Sequence, residues 1–175
     1  MQVLKFGGTS VGSVANINSV IDILKTYAEK DKVICVVSAV GGITDKLLDA
    51  GRLARTGDST YNDAFNTIKT IHILLFSELN PGIKDGLSTY LQEQLNHLKN
   101  LLDGIFLINE LSPKTSDKLV SFGELLSSHI ITQTMQNRGI EVVRKNTQEL
   151  IVTNSTYTKA EVKYDITNNN IQNYF

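Results

Sequence analysis

Lys5-Phe6-Gly7-Gly8-Thr9-Ser10 places a cation, two glycines and two hydroxyls within six residues, directly after an apolar run from Gln2 to Phe6. Paired glycines let a backbone approach a ligand closely, and free amides at the start of a helix attract an anion. A lysine at the end of a strand adds a full positive charge, so the stretch suits phosphate. It also suits a tight strand-to-helix turn in which Ser or Thr caps the helix and the lysine stands in solvent. The lysine precedes the glycines, and neither GxxxxGK[ST] nor GxGxxG occurs, so this is not a Walker A loop or a dinucleotide fingerprint. A second stretch, Ser38-Ala39-Val40-Gly41-Gly42-Ile43-Thr44, repeats the theme after another apolar run. Its two hydroxyls around a glycine pair fit a small carboxylate or phosphate, or else Ser38 ends a strand and Thr44 caps a helix. The third stretch is Ser121-Phe122-Gly123-Glu124, set among Leu119, Val120, Leu125 and Leu126. A carboxylate in apolar surroundings needs a partner, and a substrate ammonium is one. A capping box, Ser-x-x-Glu at a helix start, is the other reading.

The remaining reactive side chains carry less. His72, His97 and His129 share no close spacing and read as core or surface imidazoles. Asp, Glu and His form no HExxH or calcium-loop pattern, so no protein-built metal site is indicated. Cys35, alone in an apolar run, reads as a small buried hydrophobe.

Elements that position these stretches follow from periodicity. Gln2 to Phe6 is strand-like, and from Ser13 the apolar positions Val14, Ile17, Ile21, Leu24 and Ala28 share a helical face. Val33 to Val37 is apolar on consecutive positions, as in a strand buried on both faces of a parallel sheet. Strand, glycine turn, helix, strand makes one βαβ unit, with both glycine pairs expected beyond the carboxyl ends of strands, where open parallel sheets bind ligands. A helix with Ile43, Leu47 and Leu48 follows, then one with Phe65, Ile68, His72, Leu75 and Leu79, stopped by Asn80-Pro81-Gly82. Leu87, Leu91, Leu95, Leu98 and Leu102 mark the next helix, and a third long one runs from about Ser116 to Asn137, ending at Arg138-Gly139. Ile140 to Val143 reads as a short strand, and Asn168-Asn169-Asn170 as the cap of a last helix ending at Tyr174-Phe175.

Composition bounds the function. With 17 Lys and Arg against 18 Asp and Glu, a net charge of −1 and a pI near 6.3, the chain offers no general basic surface for nucleic acid or anionic lipid. At 41% hydrophobic and 20% charged residues it is too apolar for a disordered segment. No apolar run reaches the roughly 18–20 residues of a membrane span, and the N-terminus lacks the pattern of a signal peptide. One cysteine excludes a disulfide framework. These features lead to the expectation of a cytoplasmic, single-domain chain of 175 residues.

Taken together and in this order, Lys5-Phe6-Gly7-Gly8-Thr9-Ser10-Val11, Val37-Ser38-Ala39 with Thr44 beyond it, and Ser121-Phe122-Gly123-Glu124 resemble the motifs of aspartate kinases. The likeness runs from Met1 to Phe175. The opening is similar to the kinase end of bifunctional aspartate kinase–homoserine dehydrogenases, and monofunctional enzymes start in the same way. The resemblance implies the α/β amino acid kinase fold, a three-layer sandwich with a mainly parallel sheet between helices, of which residues 1–175 would be the N-terminal, substrate-binding lobe. It implies ATP, with Mg²⁺ carried on it, and L-aspartate as the ligands, and a homo-oligomeric parent protein. By position, Lys5 would contact the transferring phosphate as the catalytic residue, and Gly7 and Gly8, with Thr9 and Ser10 beside them, would cradle it. Ser38 and Thr44 would bind aspartate, and Glu124 its ammonium. Asp45 stands where the family usually has asparagine. The family's GRGGSD-type segment, which supplies an arginine for the aspartate carboxylate, does not occur, and Arg52, Arg55, Arg138 and Arg144 lie in no such motif. The adenine-binding half, ACT regulatory domains and a GxGxxG dehydrogenase segment are likewise outside these residues. The 175 residues alone are therefore expected to be inactive. The other readings are a non-catalytic binding fragment and a different small-molecule kinase of the same fold.

Overall fold

The change of period at Ser13 becomes a helix cap. In the computed structural model, which describes residues 1–83 and 88–175, Ser13 Oγ accepts the Asn16 amide at 3.2 Å and opens α1 (Val14–Ala28). This helix buries Ile17, Val20, Ile21 and Leu24. It connects β1 (Gln2–Phe6) to β2 (Val33–Val37), and the two strands pair in parallel from Gln2↔Val33 to Phe6↔Val37. That register puts Leu4, Phe6, Val33 and Val37 on one face of the sheet, where they pack against the helical core. On the other face Val3 is 63% and Val36 39% exposed.

Four helices build the rest of the core: α2 (Ile43–Arg55), α3 (Tyr61–Leu79), α4 (Thr89–Ile108) and α5 (Pro113–Asn137). Each buries an apolar stripe, including Ile43 and Leu47 of α2, Ile68 and Phe76 of α3, Leu91, Leu95, Leu98 and Leu102 of α4, and Leu119, Leu126 and Ile130 of α5. Each such side chain contributes roughly 1.5–3 kcal/mol on burial. Polar pairs set how the helices meet. Buried Asn80 donates through Nδ2 to Phe76 O (2.9 Å) and Thr134 Oγ1 (3.1 Å) and accepts from Asn137 Nδ2 (2.8 Å), tying the end of α3 to α5. Tyr61 donates to Asp103 Oδ1 at 2.6 Å, and Lys99 pairs with the same carboxylate, tying α3 to α4. His72, buried on α3, donates from Nδ1 to Ile68 O at 2.8 Å, and burial holds its ionisation below the usual imidazole range.

Several expectations change. Leu87, assigned to the fourth helix, lies outside the described residues. Cys35 is exposed rather than buried, although the register sets it on the same face as Val33 and Val37. Ile140 to Val143 is not a strand: neither β1 nor β2 pairs with it, and backbone groups without a neighbouring strand gain nothing by extending. Instead, Gln136 Nε2 donates to Val142 O (3.2 Å), and the Arg144 guanidinium lies 4.3 Å from the centre of the Tyr90 ring. Asn168, Asn169 and Asn170 lie inside α6 (Tyr164–Tyr174) and do not cap it. Asn170 donates to Leu150 O at 3.0 Å and so anchors the helix to the preceding segment. Among the described residues, no helix is long and apolar enough to cross a membrane.

Candidate functional site

The two glycine turns leave the same end of two parallel strands, and they touch. Ser38 donates its amide to Phe6 O at 3.1 Å, extending the ladder by one bond. Beyond it, a Cβ on Gly8 would meet Ala39 O at 3.0 Å, and one on Gly41 would meet Gly8 O at 3.3 Å. Gly8 is needed for that close approach and not for unusual backbone angles, since neither Gly7 nor Gly8 has a positive φ. From Gly7 the chain turns tightly: Ser10 N donates to Gly7 O (2.9 Å) and Val11 N to Gly8 O (3.3 Å). Asn16, one turn into α1, donates its side-chain amide to Thr9 O at 2.7 Å and fixes the turn from outside. Among the described residues, the amides of Gly7, Gly8 and Thr9 have no acceptor, which leaves three donors in the turn that precedes α1.

Lys5 pairs in register with Val36, so alternation along the strands sets Lys5 and Ser38 on the same side of the sheet. Lys5 is exposed and has no carboxylate within ion-pair distance among the described residues. Thr44 is exposed in the first turn of α2 and does not cap it. Gly42 does, with φ of 76° and no side-chain bond. A left-handed residue here is natural for glycine.

The third stretch reaches the same place from α5. Ser121 is mid-helix, its hydroxyl bonded to Lys118 O at 2.8 Å, so the capping-box reading is overturned. The actual cap is Ser112, which accepts the Thr115 amide at 3.2 Å. Glu124 is exposed, not enclosed by its leucine neighbours, because those point to the other sides of the helix. Its Oε1 accepts the Ala39 amide at 3.3 Å. One residue earlier, a Cβ on Gly123 would stand 2.6 Å from Ala39 Cβ, so α5 meets the second turn at a distance only glycine allows. The motif is split by its helix: Ser121 and Phe122 line a cleft of about 760 Å³ with His97, Lys118 and Tyr157, whereas Gly123 and Glu124 face the glycine turns.

Sequence reasoning missed Ser127, Asn16 and the Ala39 amide. Ser127, 1% exposed, donates to Ser38 O at 2.6 Å. Its signal was present: a serine three and four residues after Glu124 and Gly123 lies on their side of a helix.

The Gly123 contact makes a prediction. Gly123→Ala should lower stability by about 1–3 kcal/mol, as overpacking does. Gly104→Ala, in α4 with nothing within 4 Å of the added Cβ, should instead raise it by up to about 1 kcal/mol through helix propensity. Denaturant midpoints of the two variants should therefore move in opposite directions.

Comparisons with known proteins agree with this frame. The model of the amino acid kinase family matches residues 1–175. Aspartokinase 1, chloroplastic, of Arabidopsis thaliana is 35% identical over 166 residues, covering 91% of this chain and 28% of that protein. A bifunctional aspartokinase/homoserine dehydrogenase 2, chloroplastic, of the same plant is 29% identical over 157 residues, covering 88% of this chain and 17% of that protein. Aspartokinase III of E. coli superposes in its complex with lysine and aspartate with a TM-score of 0.84 at 24% identity, covering 98% of this chain and 37% of that one. In its complex with aspartate and ADP the TM-score is 0.81 at 25% identity, covering 95% of this chain and 36% of that one. The chain thus spans less than a third of the length of these curated relatives. With the family's match covering residues 1–175, from the first strand through α6, and the fold shared with the E. coli enzyme over 98% of the chain, the chain belongs to the amino acid kinase family.

Proposed function

We propose that these residues are the N-terminal, substrate-binding part of an aspartate kinase, which transfers the γ-phosphate of ATP to the β-carboxylate of L-aspartate. The observation that carries this reading is the convergence of Gly8, Ala39 and Glu124 at the carboxyl end of two parallel strands. It brings anion-binding amides and a carboxylate to one place, as an amino acid phosphorylated by a nucleotide requires. The relatives named aspartokinase and the E. coli enzyme solved with aspartate and ADP support the choice of substrates.

In this reading the aspartate β-carboxylate attacks the γ-phosphorus in line. A carboxyl O–P bond forms, the bond from phosphorus to the bridging oxygen breaks, and ADP leaves with that electron pair. The attacking carboxylate is ionised at neutral pH, so no general base is required. Lys5 offsets charge on the transferring group, and the amides of Gly7 and Gly8, with Thr9 and Ser10 beside them, are donors already in place. Ser38 and Thr44 hold the amino acid, and Glu124 pairs with its ammonium. Mg²⁺ arrives on ATP, bound by phosphate oxygens and water. The nucleotide-binding half and the arginine for the aspartate carboxylate belong to sequence beyond these residues, and a fused homoserine dehydrogenase fits the bifunctional relative. The whole protein is expected to be a homo-oligomer. A cytoplasmic location is part of this proposal, whereas the Arabidopsis relatives are named as chloroplastic.

Glu124→Gln tests the reading in the whole kinase. Glutamine keeps an oxygen for the Ala39 amide and removes only the charge. The aspartate KM should rise by roughly 10- to 100-fold, since a hydrogen bond to a charged group is worth about 1.5–3 kcal/mol, while the ATP KM stays near wild type. An unchanged aspartate KM would leave Glu124 with the loop contact alone. A substrate panel including glutamate, acetylglutamate and carbamate separates aspartate from the other acceptors of this fold.

A further inference from the structure

The peptide unit between Ser38 and Ala39 is gripped at both ends by one helix. Its carbonyl accepts from Ser127 Oγ at 2.6 Å, and its N–H donates to Glu124 Oε1 at 3.3 Å. Ser127 has an alternative acceptor on its own helix, Glu124 O, but at 3.4 Å that contact is much the longer. The hydroxyl is therefore committed outward, to the loop. Beside the two gripping residues on the same helix is Gly123, whose missing side chain lets Ala39 approach.

Holding both polar groups of a peptide unit fixes the plane between two Cα atoms, and with it ψ of Ser38 and φ of Ala39. The direction of the Ser38 side chain is then set relative to Glu124. A serine hydroxyl in a helix commonly satisfies itself on the preceding turn, as the half-buried neighbour Ser128 does on Leu125 O at 3.2 Å. Ser127 departs from that pattern at the one place where the loop carries a proposed substrate-binding residue.

We propose that Ser127 is a positioning residue of the acceptor site: with Glu124 it clamps the Ser38–Ala39 peptide so that the Ser38 hydroxyl and the Glu124 carboxylate are held at the spacing of one bound amino acid. The inference rests on the aspartate kinase reading for its substrate but not for the clamp itself. Glu124 thereby has two tasks, one oxygen on the loop and the other free for the ligand.

The test uses Ser127→Ala in the whole kinase, with Ser128→Ala as the control. Ser127→Ala should raise the aspartate KM about tenfold, the loss of one hydrogen bond's worth of order, with kcat and the ATP KM within about twofold of wild type. Ser128→Ala should change none of them. Hydrogen–deuterium exchange at the Ala39 amide should be faster in Ser127→Ala and unchanged in Ser128→Ala. Faster exchange with an unchanged aspartate KM would overturn the positioning role. Unchanged exchange would overturn the clamp, whatever the kinetics. If the wild-type protein forms no phosphoaspartate, the functional reading fails, and exchange at Ala39 alone decides whether the clamp exists.

Discussion

Lys5→Ala in the whole kinase should lower turnover by about 10²–10³-fold, the loss expected when one preorganised group facing developing charge is removed. The expectation follows from where the lysine stands. It is the next-to-last residue of β1, the three residues after that strand present amides without acceptors, and no carboxylate among the described residues neutralises it. A surface lysine with neither ion pair nor packing role contributes little to folding, so the variant should unfold at the wild-type temperature. The aspartate KM should be nearly unchanged, because Lys5 is assigned to the phosphate and the amino acid is assigned to Ser38, Thr44 and Glu124. Lys5→Arg should recover only part of the rate. A guanidinium keeps the charge but spreads it over a planar fork longer than the ammonium, and the turn beyond Gly7 is fixed by Asn16 on Thr9 O. Coupled assay of ADP release, with thermal unfolding measured beside it, separates these outcomes. Full turnover in Lys5→Ala would return the lysine to the role of a solvated residue at a strand end.

How much of this was legible in the sequence depends on whether a feature is local. β1, α1 and β2 were readable because a five-residue apolar run, a serine cap and a change of period are written within a few residues of one another. The breaker at Asn80-Pro81-Gly82 and the stop at Gly139, with φ of 73°, are local in the same sense. Glu124 was misjudged because its leucine neighbours in sequence are not its neighbours in space. On a helix, Leu125 and Leu126 point roughly 100° and 200° away from it, and the side it occupies is open. Ser127 was missed because its partner is 89 positions earlier. The proposed strand at Ile140 to Val143 failed for the same reason in reverse: its composition is strand-like, but a strand is a pairing, and the described sheet holds only β1 and β2. The close approach that Gly8 makes is to the second turn, at Ala39 O, and the left-handed backbone angle belongs to Gly42.

The second large effect concerns the 175 residues by themselves, which should form no phosphoaspartate from ATP and L-aspartate. What they hold is one side of a two-substrate site. Three free amides and Lys5 can meet a phosphate, and Glu124 with two hydroxyls can meet an amino acid, but nothing assigned here grips an adenine or clamps the aspartate side chain. Well-oriented reacting groups gain effective molarities of about 10⁵–10⁸ M, and that gain vanishes when either substrate is free to drift. The uncovered sheet face bears on the same point. Val3 and Val36 are exposed on the side away from the helices, and Val143 and Ile151 are exposed in the segment after α5, whereas Val142 and Val152 are half-buried. In the E. coli structures the region matched is little more than a third of the chain, so the aspartate and ADP of that complex are held by a much larger protein. Apolar surface of this kind promotes association, and the isolated residues should sediment as more than a monomer, at a size that grows with concentration. Trapping acyl phosphate with hydroxylamine should give background signal for these residues and a clear product for the whole kinase. Hydroxamate formed by the 175 residues alone, and abolished by Lys5→Ala, would show that the acceptor side is a complete active site and would overturn the division of labour proposed here.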